Sequence, residues 1–221
     1  IGPNGAGKST LFNLISGLHK PSGGRVLMNG ADITGKTPDM IVQKGIARTF
    51  QTVKLLKNKT VLETMTTSFF LSYEYHLLDV IFKTKRYKKQ EKEFKERAIK
   101  YLAWLGIDHL HNKNSSELAY GLQRKVSIAM TLCLNPRVLL LDEPMAGLTH
   151  NEKNELIETI LKLKEQFDLS IILVEHDMKV IMNLCESIAV MNQGQLIAEG
   201  AREEIRINPQ VIEAYLGTSA T

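Results

Sequence analysis

A glycine-rich stretch near the start of the chain limits its possible folds more than any other feature. Gly2 and Gly7, separated by four residues, are followed directly by Lys8 and Ser9, the pattern of a phosphate-binding P-loop. Glycines let successive N–H groups face one anion, Lys8 can pair with β- and γ-phosphates, and the Ser9 hydroxyl can ligate Mg²⁺. An ordinary glycine-rich turn is the alternative, but every position of the pattern is filled. The predicted nucleotide-binding residues are Gly2, Pro3, Asn4, Gly5, Ala6, Gly7, Lys8, Ser9 and Thr10.

The composition excludes several classes of protein. With 221 residues, of which 43% are hydrophobic and 24% charged, the chain has the make-up of a soluble globular protein with a real core. No apolar run approaches the ~18 residues needed to cross a bilayer. The net charge of +4 permits contact with nucleic acid or an anionic membrane without requiring either. Cys133 and Cys185 lie among apolar neighbours, which favours packing over a disulfide or metal site and fits a reducing cytoplasm.

The chain has no initiator methionine and begins one residue before the P-loop. A P-loop normally follows a buried strand, and only Ile1 stands in that position here. We therefore expect the sequence to be a fragment that lacks the preceding strand.

The residues after the P-loop predict short elements. Residues 10–15 indicate a helix that ends near Gly17, so the loop would lie at a positive helix N-terminus. Residues 46–50 predict a strand that ends at Gln51. Taken alone, a glutamine at this place is most simply a solvated loop residue.

Residues 60–107 have a helical pattern that opens with a capping box at Thr60 and Glu63, so we expect a helical insertion. Within it, residues 83–97 carry clustered Lys and Arg, which would suit nucleic acid or lipid headgroups. Because glutamates interrupt this run, a solvated helix face with i,i+4 ion pairs is the favoured interpretation.

Two adjacent carboxylates follow a continuous apolar run. Residues 138–141 predict a parallel strand buried on both faces, with Asp142 and Glu143 at its carboxyl end, where α/β sheets bind their ligands. Asp142 is the candidate to hold Mg²⁺ through water, and Glu143 is the candidate to orient and deprotonate an attacking water. The P-loop in the same chain favours this role over that of two ordinary surface acids.

His176 lies just beyond a second apolar strand. Residues 170–175 predict that this strand is buried, so His176 would lie at the same sheet edge as Asp142 and Glu143. The imidazole could donate a hydrogen bond to a γ-phosphate, and the alternative is a bond to a backbone carbonyl.

A turn that contains serine and glycine leads into a further helix. The helix N-terminus could bind an anion or could simply be capped, and the residues alone leave both interpretations open. The turn includes Leu118, Ala119, Tyr120, Gly121 and Leu122.

The last third of the chain completes an alternation of strands and helices. Thr149 and Glu152 predict a second capping box, residues 187–198 predict a hairpin, and two short helical pieces flank Pro209.

In this order, the motifs resemble those of the ATPase subunits of ABC transporters, and the match extends over essentially the whole chain. The details are most like the ATP-binding subunit of branched-chain amino-acid importers, with the urea and amide importers close behind. The segments that carry this closer resemblance are Arg48-Thr49-Phe50-Gln51, Ala146-Gly147-Leu148, Val174-Glu175-His176-Asp177-Met178 and Ala214-Tyr215-Leu216-Gly217.

The resemblance implies an α/β fold of the ABC ATPase type, with a P-loop NTPase (RecA-like) core, a parallel sheet and an inserted α-helical subdomain. Residues 1–221 would form one N-terminally incomplete domain. Residues 1–56 and 132–217 would form its core, and residues 57–131 the insertion with the signature turn. The aromatic residue that stacks on adenine in this family would precede Ile1.

The resemblance also implies that two domains pair head to tail, with each ATP between the P-loop of one and the signature turn of the other. Leu118 to Leu122 form that signature turn, and Ala119, Tyr120, Gly121 and Leu122 would reach the γ-phosphate across the dimer. Within one chain, the Mg²⁺ ligands would be Ser9, Gln51 and Asp142, and the catalytic residues would be Gln51, Glu143 and His176.

The implied partners are integral-membrane permease subunits, a second ABC ATPase subunit of the same or a different kind and, indirectly, a periplasmic or extracellular solute-binding protein. No nucleic acid is implied, and the implied location is the cytoplasmic face of the cell membrane. Two positions depart from the family pattern. Leu122 stands where Gln is usual, and Thr149 stands where many members carry Asp.

The expected function is therefore ATP hydrolysis that powers uptake of branched-chain amino acids, with urea or amide uptake as the alternative. A non-transport ABC ATPase that acts on DNA or ribosomes would share the motifs, but such proteins usually have a long coiled-coil insertion or tandem cassettes. A small-molecule P-loop kinase would lack the signature turn and His176. The solute itself is selected by other subunits.

Overall fold

The computed structural model of the chain describes residues 1–49 and 55–216. The strands are β1 (Leu27–Met28), β2 (Ala31–Asp32), β3 (Ile46–Arg48), β4 (Val138–Asp142), β5 (Ser170–Val174), β6 (Ser187–Asn192) and β7 (Gln195–Ala201). The helices are α1 (Lys8–Ile15), α2 (Pro38–Gln43), α3 (Val61–Thr67), α4 (Leu77–Ile81), α5 (Lys85–Trp104), α6 (Tyr120–Leu132), α7 (His150–Gln166), α8 (Met178–Leu184), α9 (Arg202–Ile207) and α10 (Pro209–Leu216).

A parallel sheet of order β3-β4-β5 carries the functional residues. Its central strand β4 is apolar at successive positions because both of its faces are covered. Leu139 and Leu141 belong to a core formed with the helical insertion and α7, whereas Leu140 belongs to a second core with Phe12 of α1. The prediction of a strand buried on both faces is therefore confirmed.

The prediction of a fully buried strand at residues 170–175 is wrong. Ser170 is exposed and Ile172 is 43% exposed, while Val174 is buried. In the described part of the chain, β5 is the edge strand of this sheet and pairs with β4 alone. An edge strand covered mainly on one face shows this alternation of exposed and covered side chains.

The helical insertion lies between β3 and β4, which are neighbours in the sheet. Its predicted helical character is confirmed, and residues 60–107 contain the separate helices α3, α4 and α5. The chain folds back so that the rings of Phe69 and Phe94 stack with centroids 4.7 Å apart, and both side chains are buried. A continuous helix could not form this contact. The Thr60 capping box at the start of α3 is present as predicted.

The C-terminal part confirms the predicted hairpin and the two helical pieces. Strands β6 and β7 pair antiparallel, and Gln193 and Gly194 form the turn with φ of 48° and 80°. Two central residues with positive φ are typical of a type I′ hairpin turn. The hairpin packs with α8, α9 and α10 around a third apolar cluster that includes Ile188 and Ile205.

Both cysteines are free thiols, as expected from the sequence. Burial raises the pKa of the Cys133 thiol to about 12, so this side chain stays protonated at neutral pH and serves as a small apolar residue.

Candidate functional site

The P-loop lies directly before α1, whose first residue is Lys8. Gly7 is the N-cap with φ of 96°, a conformation that glycine adopts without strain. The Lys8 ammonium donates hydrogen bonds to the carbonyl oxygens of Gly2 at 2.7 Å and Pro3 at 2.9 Å. The cation and the positive end of α1 therefore lie at the same loop, which suits an anion such as a phosphate.

The β6–β7 hairpin supports the back of the P-loop. The amide of Met191 donates to the carbonyl of Ile1 at 2.8 Å, and the amide of Gly194 donates to the carbonyl of Ala6 at 3.0 Å. A Cβ atom added to Gly2, whose φ is 151°, would lie 2.1 Å from the Met191 carbonyl oxygen. Only glycine allows this approach, so the first glycine of the motif is required by packing against the hairpin as well as by the loop.

Asp142 is buried at the carboxyl end of β4 and is paired with Arg48 of β3. The Arg48 Nη2 to Asp142 Oδ2 distance is 2.7 Å, and each side chain is 7% exposed. Arg48 also donates to the Asn13 side chain at 2.7 Å and to the Ser16 hydroxyl at 3.1 Å, both in or next to α1. One guanidinium thus connects the helix after the P-loop to the predicted Mg²⁺ ligand. This role of Arg48 was not predicted from the sequence.

Replacing Arg48 by methionine should lower the free energy of unfolding by about 3 kcal/mol, because the variant leaves the buried Asp142 carboxylate without its partner. Urea unfolding of the full-length protein measures this loss. The matched control is Lys59→Met, which breaks an exposed ion pair with Glu63 at 2.9 Å and should change stability little. Equal stability of the Arg48 variant and wild type would contradict a structural role for the pair.

Glu143 and His176 lie at the same end of the sheet, as predicted. The register pairs Asp142 with Val174, and the amide of Glu143 continues the pairing by donating to the Val174 carbonyl at 2.9 Å. Glu143 has φ of 45°, so the chain turns sharply as it leaves the strand. The His176 side chain, just beyond β5, is 65% exposed and therefore accessible to a ligand.

Glu175 was not identified from the sequence, yet it organises this edge. Its side chain is 1% exposed and accepts hydrogen bonds from the amides of Met145 at 2.9 Å and His176 at 3.2 Å. The two loops that carry Glu143 and His176 are therefore held by one buried carboxylate. A charged residue at the end of an apolar strand was the available signal.

The predicted Mg²⁺ ligands can be tested by the chemistry of their donor atoms. Ser9 supplies a hydroxyl and Asp142 a carboxylate, hard oxygen donors that suit Mg²⁺, and this ion commonly takes one or two carboxylates plus substrate phosphates. These residues fit the ion, and Gln51 lies outside the described residues. Among residues 1–49 and 55–216, no group of three or more His, Cys, Asp or Glu side chains could form an all-protein metal site.

The signature turn leads into α6 at Tyr120, so Gly121 and Leu122 lie in the first helical turn. The N-cap, Ala119, provides no side-chain hydrogen bond. Ala119 and Tyr120 are exposed, whereas Leu118 and Leu122 are partly buried and pack against the core of the insertion. Hence the backbone and the exposed Ala119 and Tyr120 are the parts that can meet a ligand, and Leu122 serves packing.

The signature turn contacts the loop that follows Glu143. A Cβ on Gly121 would lie 2.7 Å from Oε1 of Glu152, and a Cβ on Gly147 would lie 3.2 Å from the Tyr120 ring. Glu152 completes the predicted capping box with Thr149, accepting from the Thr149 amide at 2.9 Å. Thr149 thus has a structural role as the N-cap of α7.

Comparison with known proteins decides the family. Residues 1–146 match the family model described as ABC transporter, and residues 195–221 match the model described as branched-chain amino acid ATP-binding cassette transporter. The chain belongs to the ABC transporter family. The resemblance inferred from the motifs is confirmed. Of the described helices, none is both long and apolar enough to cross a membrane.

Two curated relatives of this ABC protein are the high-affinity branched-chain amino acid transport ATP-binding proteins BraF of Pseudomonas aeruginosa and LivG of Escherichia coli. Each is 41% identical over 217 residues, which cover 98% of this chain and 85% of the relative. A crystal structure of the ADP conformation of an ATP-binding cassette of an ABC transporter is similar in fold, with a TM-score of 0.83 and 36% identity. That likeness covers 98% of this chain and 86% of the other, and it confirms the predicted ABC ATPase fold.

Proposed function

We propose that this ABC protein hydrolyses ATP to power the uptake of branched-chain amino acids through membrane permease subunits. The observation that carries the proposal is the 41% identity, over 98% of the chain, to the relatives from Pseudomonas aeruginosa and Escherichia coli. The match of residues 195–221 to the branched-chain amino acid cassette model supports the same solute class.

The described geometry supports a division of roles in hydrolysis. Lys8 and the N-terminus of α1 bind the phosphates, and on ATP binding Lys8 exchanges its bonds to the loop carbonyls for bonds to phosphate oxygens. Ser9 and Asp142 would hold Mg²⁺, which neutralises phosphate charge when bound. Gln51 is proposed as a further ligand from the family pattern alone.

Glu143 is the proposed base. It removes a proton from water as the water oxygen forms a bond to the γ-phosphorus and the bond from that phosphorus to the bridging oxygen breaks, leaving ADP and phosphate. His176 donates a hydrogen bond to the γ-phosphate, and its exposure leaves the imidazole able to do so. The buried Glu175 carboxylate positions both loops without contacting the substrate.

The proposed assembly contains two such subunits, whose signature turns complete each other's ATP sites. The exposure of Ala119 and Tyr120 supports this, because a residue that serves a partner must be accessible in the single chain. We also propose that the protein docks on permease subunits at the cytoplasmic membrane surface. Within the chain, we propose that residues 57–131 form the helical insertion and that residues 1–56 and 132–217 form the core. The shared apolar cluster shows that the insertion packs closely on β4 and α7.

Uptake by cells of the source organism tests this function. A strain that lacks the gene should lose high-affinity leucine uptake and regain it with the wild-type gene, but not with Glu143→Gln. Urea uptake, measured in parallel, should not change. Loss of urea uptake with normal leucine uptake would support the alternative importer, and loss of neither would contradict both.

A further inference from the structure

An exposed apolar surface lies on the helical insertion, and none of its residues is among those assigned to ATP. We name it the apolar tip, and its members are Leu77, Leu78, Val80, Ile81 and Phe82, which are 75%, 65%, 38%, 62% and 73% exposed. Single exposed apolar side chains are common, but a contiguous group of this kind marks an interaction site. None of the five residues of α4 is buried, so nearly all of this helix is available for contact.

A strongly basic segment follows the tip directly. Residues 83–100, which we name the basic segment, contain nine Lys and Arg and three Glu, a net charge of +6. The whole chain carries +4, so the rest of the chain carries −2. The positive charge of this protein is therefore concentrated in one short stretch.

The junction between α4 and α5 holds the tip beside the basic segment. Only residues 82–84 separate the two helices, and the Thr84 hydroxyl donates to Asp79 at 2.7 Å. Thr84 also caps α5 by accepting from the Tyr87 amide at 3.3 Å. Hydrogen bonds from His76 and Thr84 hold the pKa of Asp79 below its usual range, so this acid is engaged in the junction itself.

The acidic side chains on the basic segment and next to it do not cancel its positive charge. Glu93 and Glu96 lie 3.9 Å and 3.7 Å from Lys89 and Lys92, and Glu74 lies 3.9 Å from Arg86. The two pairs within α5 confirm the predicted i,i+4 contacts. All of the side chains involved are at least half exposed, however, and such pairs are weak and readily exchanged for other anions.

We propose that the apolar tip and the basic segment bind the surface of an anionic lipid bilayer. The tip would enter the boundary between headgroups and acyl chains, and the Lys and Arg side chains would contact anionic headgroups. Four of the five tip residues are aliphatic and cannot stack on bases, which disfavours single-stranded nucleic acid. A second copy of the same surface is disfavoured because two segments of net charge +6 repel each other.

Vesicle sedimentation of the full-length protein, without ATP or permease, tests the proposal. The probes are vesicles of phosphatidylcholine alone and of phosphatidylcholine mixed with phosphatidylglycerol. We expect at least tenfold stronger partitioning to the anionic vesicles, decreasing as salt is raised. The variant Ile81→Ser with Phe82→Ser removes apolar area, and the variant Lys85→Gln, Lys88→Gln and Lys89→Gln removes charge. Each should lower partitioning about tenfold or more.

The matched control is Leu196→Ser with Ile207→Ser, which removes two side chains that are 58% and 69% exposed elsewhere. The control should bind vesicles within twofold of wild type, and unchanged thermal melts establish that each variant is folded.

Equal binding to both vesicle types would overturn the proposal, and so would undiminished binding by the tip variant or by the basic-segment variant. The absence of vesicle binding would also overturn the proposal. If the tip variant then also fails to co-purify with the permease subunits, the partner of this surface is a protein. If the protein instead binds DNA in a salt-sensitive way, the partner is nucleic acid. None of these outcomes bears on ATP hydrolysis.

Discussion

Replacing Glu143 by glutamine should slow ATP hydrolysis by the full-length protein about 10²-fold or more, while ATP binding is retained. Glutamine keeps the shape of the side chain but cannot accept a proton, and loss of a general base has an effect of this size. Binding should persist because the proposed contacts to the phosphates and the ion come from Lys8, Ser9 and Asp142 rather than from Glu143. Phosphate release and nucleotide titration measure the two properties separately.

The same variant tests the composite site. If two subunits enclose each ATP, a nucleotide that cannot be hydrolysed should hold them together, so Glu143→Gln should become a dimer on addition of ATP and Mg²⁺. Light scattering on a sizing column detects this change, and wild type should dimerise only transiently. Glu158→Gln, an exposed glutamate on α7, is the matched control and should behave as wild type. Undiminished hydrolysis would exclude Glu143 as the base, and a hydrolysis-dead variant that stays monomeric would contradict the composite site.

Lys8→Ala should abolish ATP turnover and weaken nucleotide binding. The ammonium is the only cation placed within the described P-loop, where it contacts the carbonyls of Gly2 and Pro3, and alanine offers no charge for the β- and γ-phosphates. Phosphate release should fall below detection, and the apparent Kd for ATP should rise.

Lys20→Ala is the matched control for this prediction, because Lys20 is exposed and lies after α1. Its turnover should equal that of wild type. The circular dichroism of Lys8→Ala should match wild type as well, which separates loss of a ligand contact from loss of fold. Normal phosphate release by Lys8→Ala would remove the P-loop from the mechanism.

The parts of the site that the sequence predicted are those that depend on neighbouring residues. The P-loop requires closely spaced glycines before a helix, and β4 requires a run of apolar residues, so Lys8 and Asp142 could be recognised from local pattern. The Arg48–Asp142 pair joins residues 94 positions apart, and no local pattern indicates it. The position of Glu175 at the end of an apolar strand was a local signal, but its hydrogen bond to the Met145 amide depends on the packing of two loops and could not be predicted.

The wrong prediction about the fold also concerns a non-local feature. The helical pattern of residues 60–107 is confirmed, but the division into separate helices that stack Phe69 on Phe94 could not be predicted from it. Residues 170–175 are apolar in composition, but burial of a strand depends on its place in the sheet, and β5 lies at an edge of the described sheet. Propensity is a weak prior that tertiary context overrides.

The contact between the P-loop and the β6–β7 hairpin has a consequence for the order of folding. The loop leaves the ribosome well before Met191 and Gly194, which bond to it and lie far later along the chain. Contacts between such distant positions form late, because the long chain between them must first be ordered. A nascent chain that ends before the hairpin should therefore be unable to retain nucleotide, so ATP capture begins only after the hairpin has been synthesised.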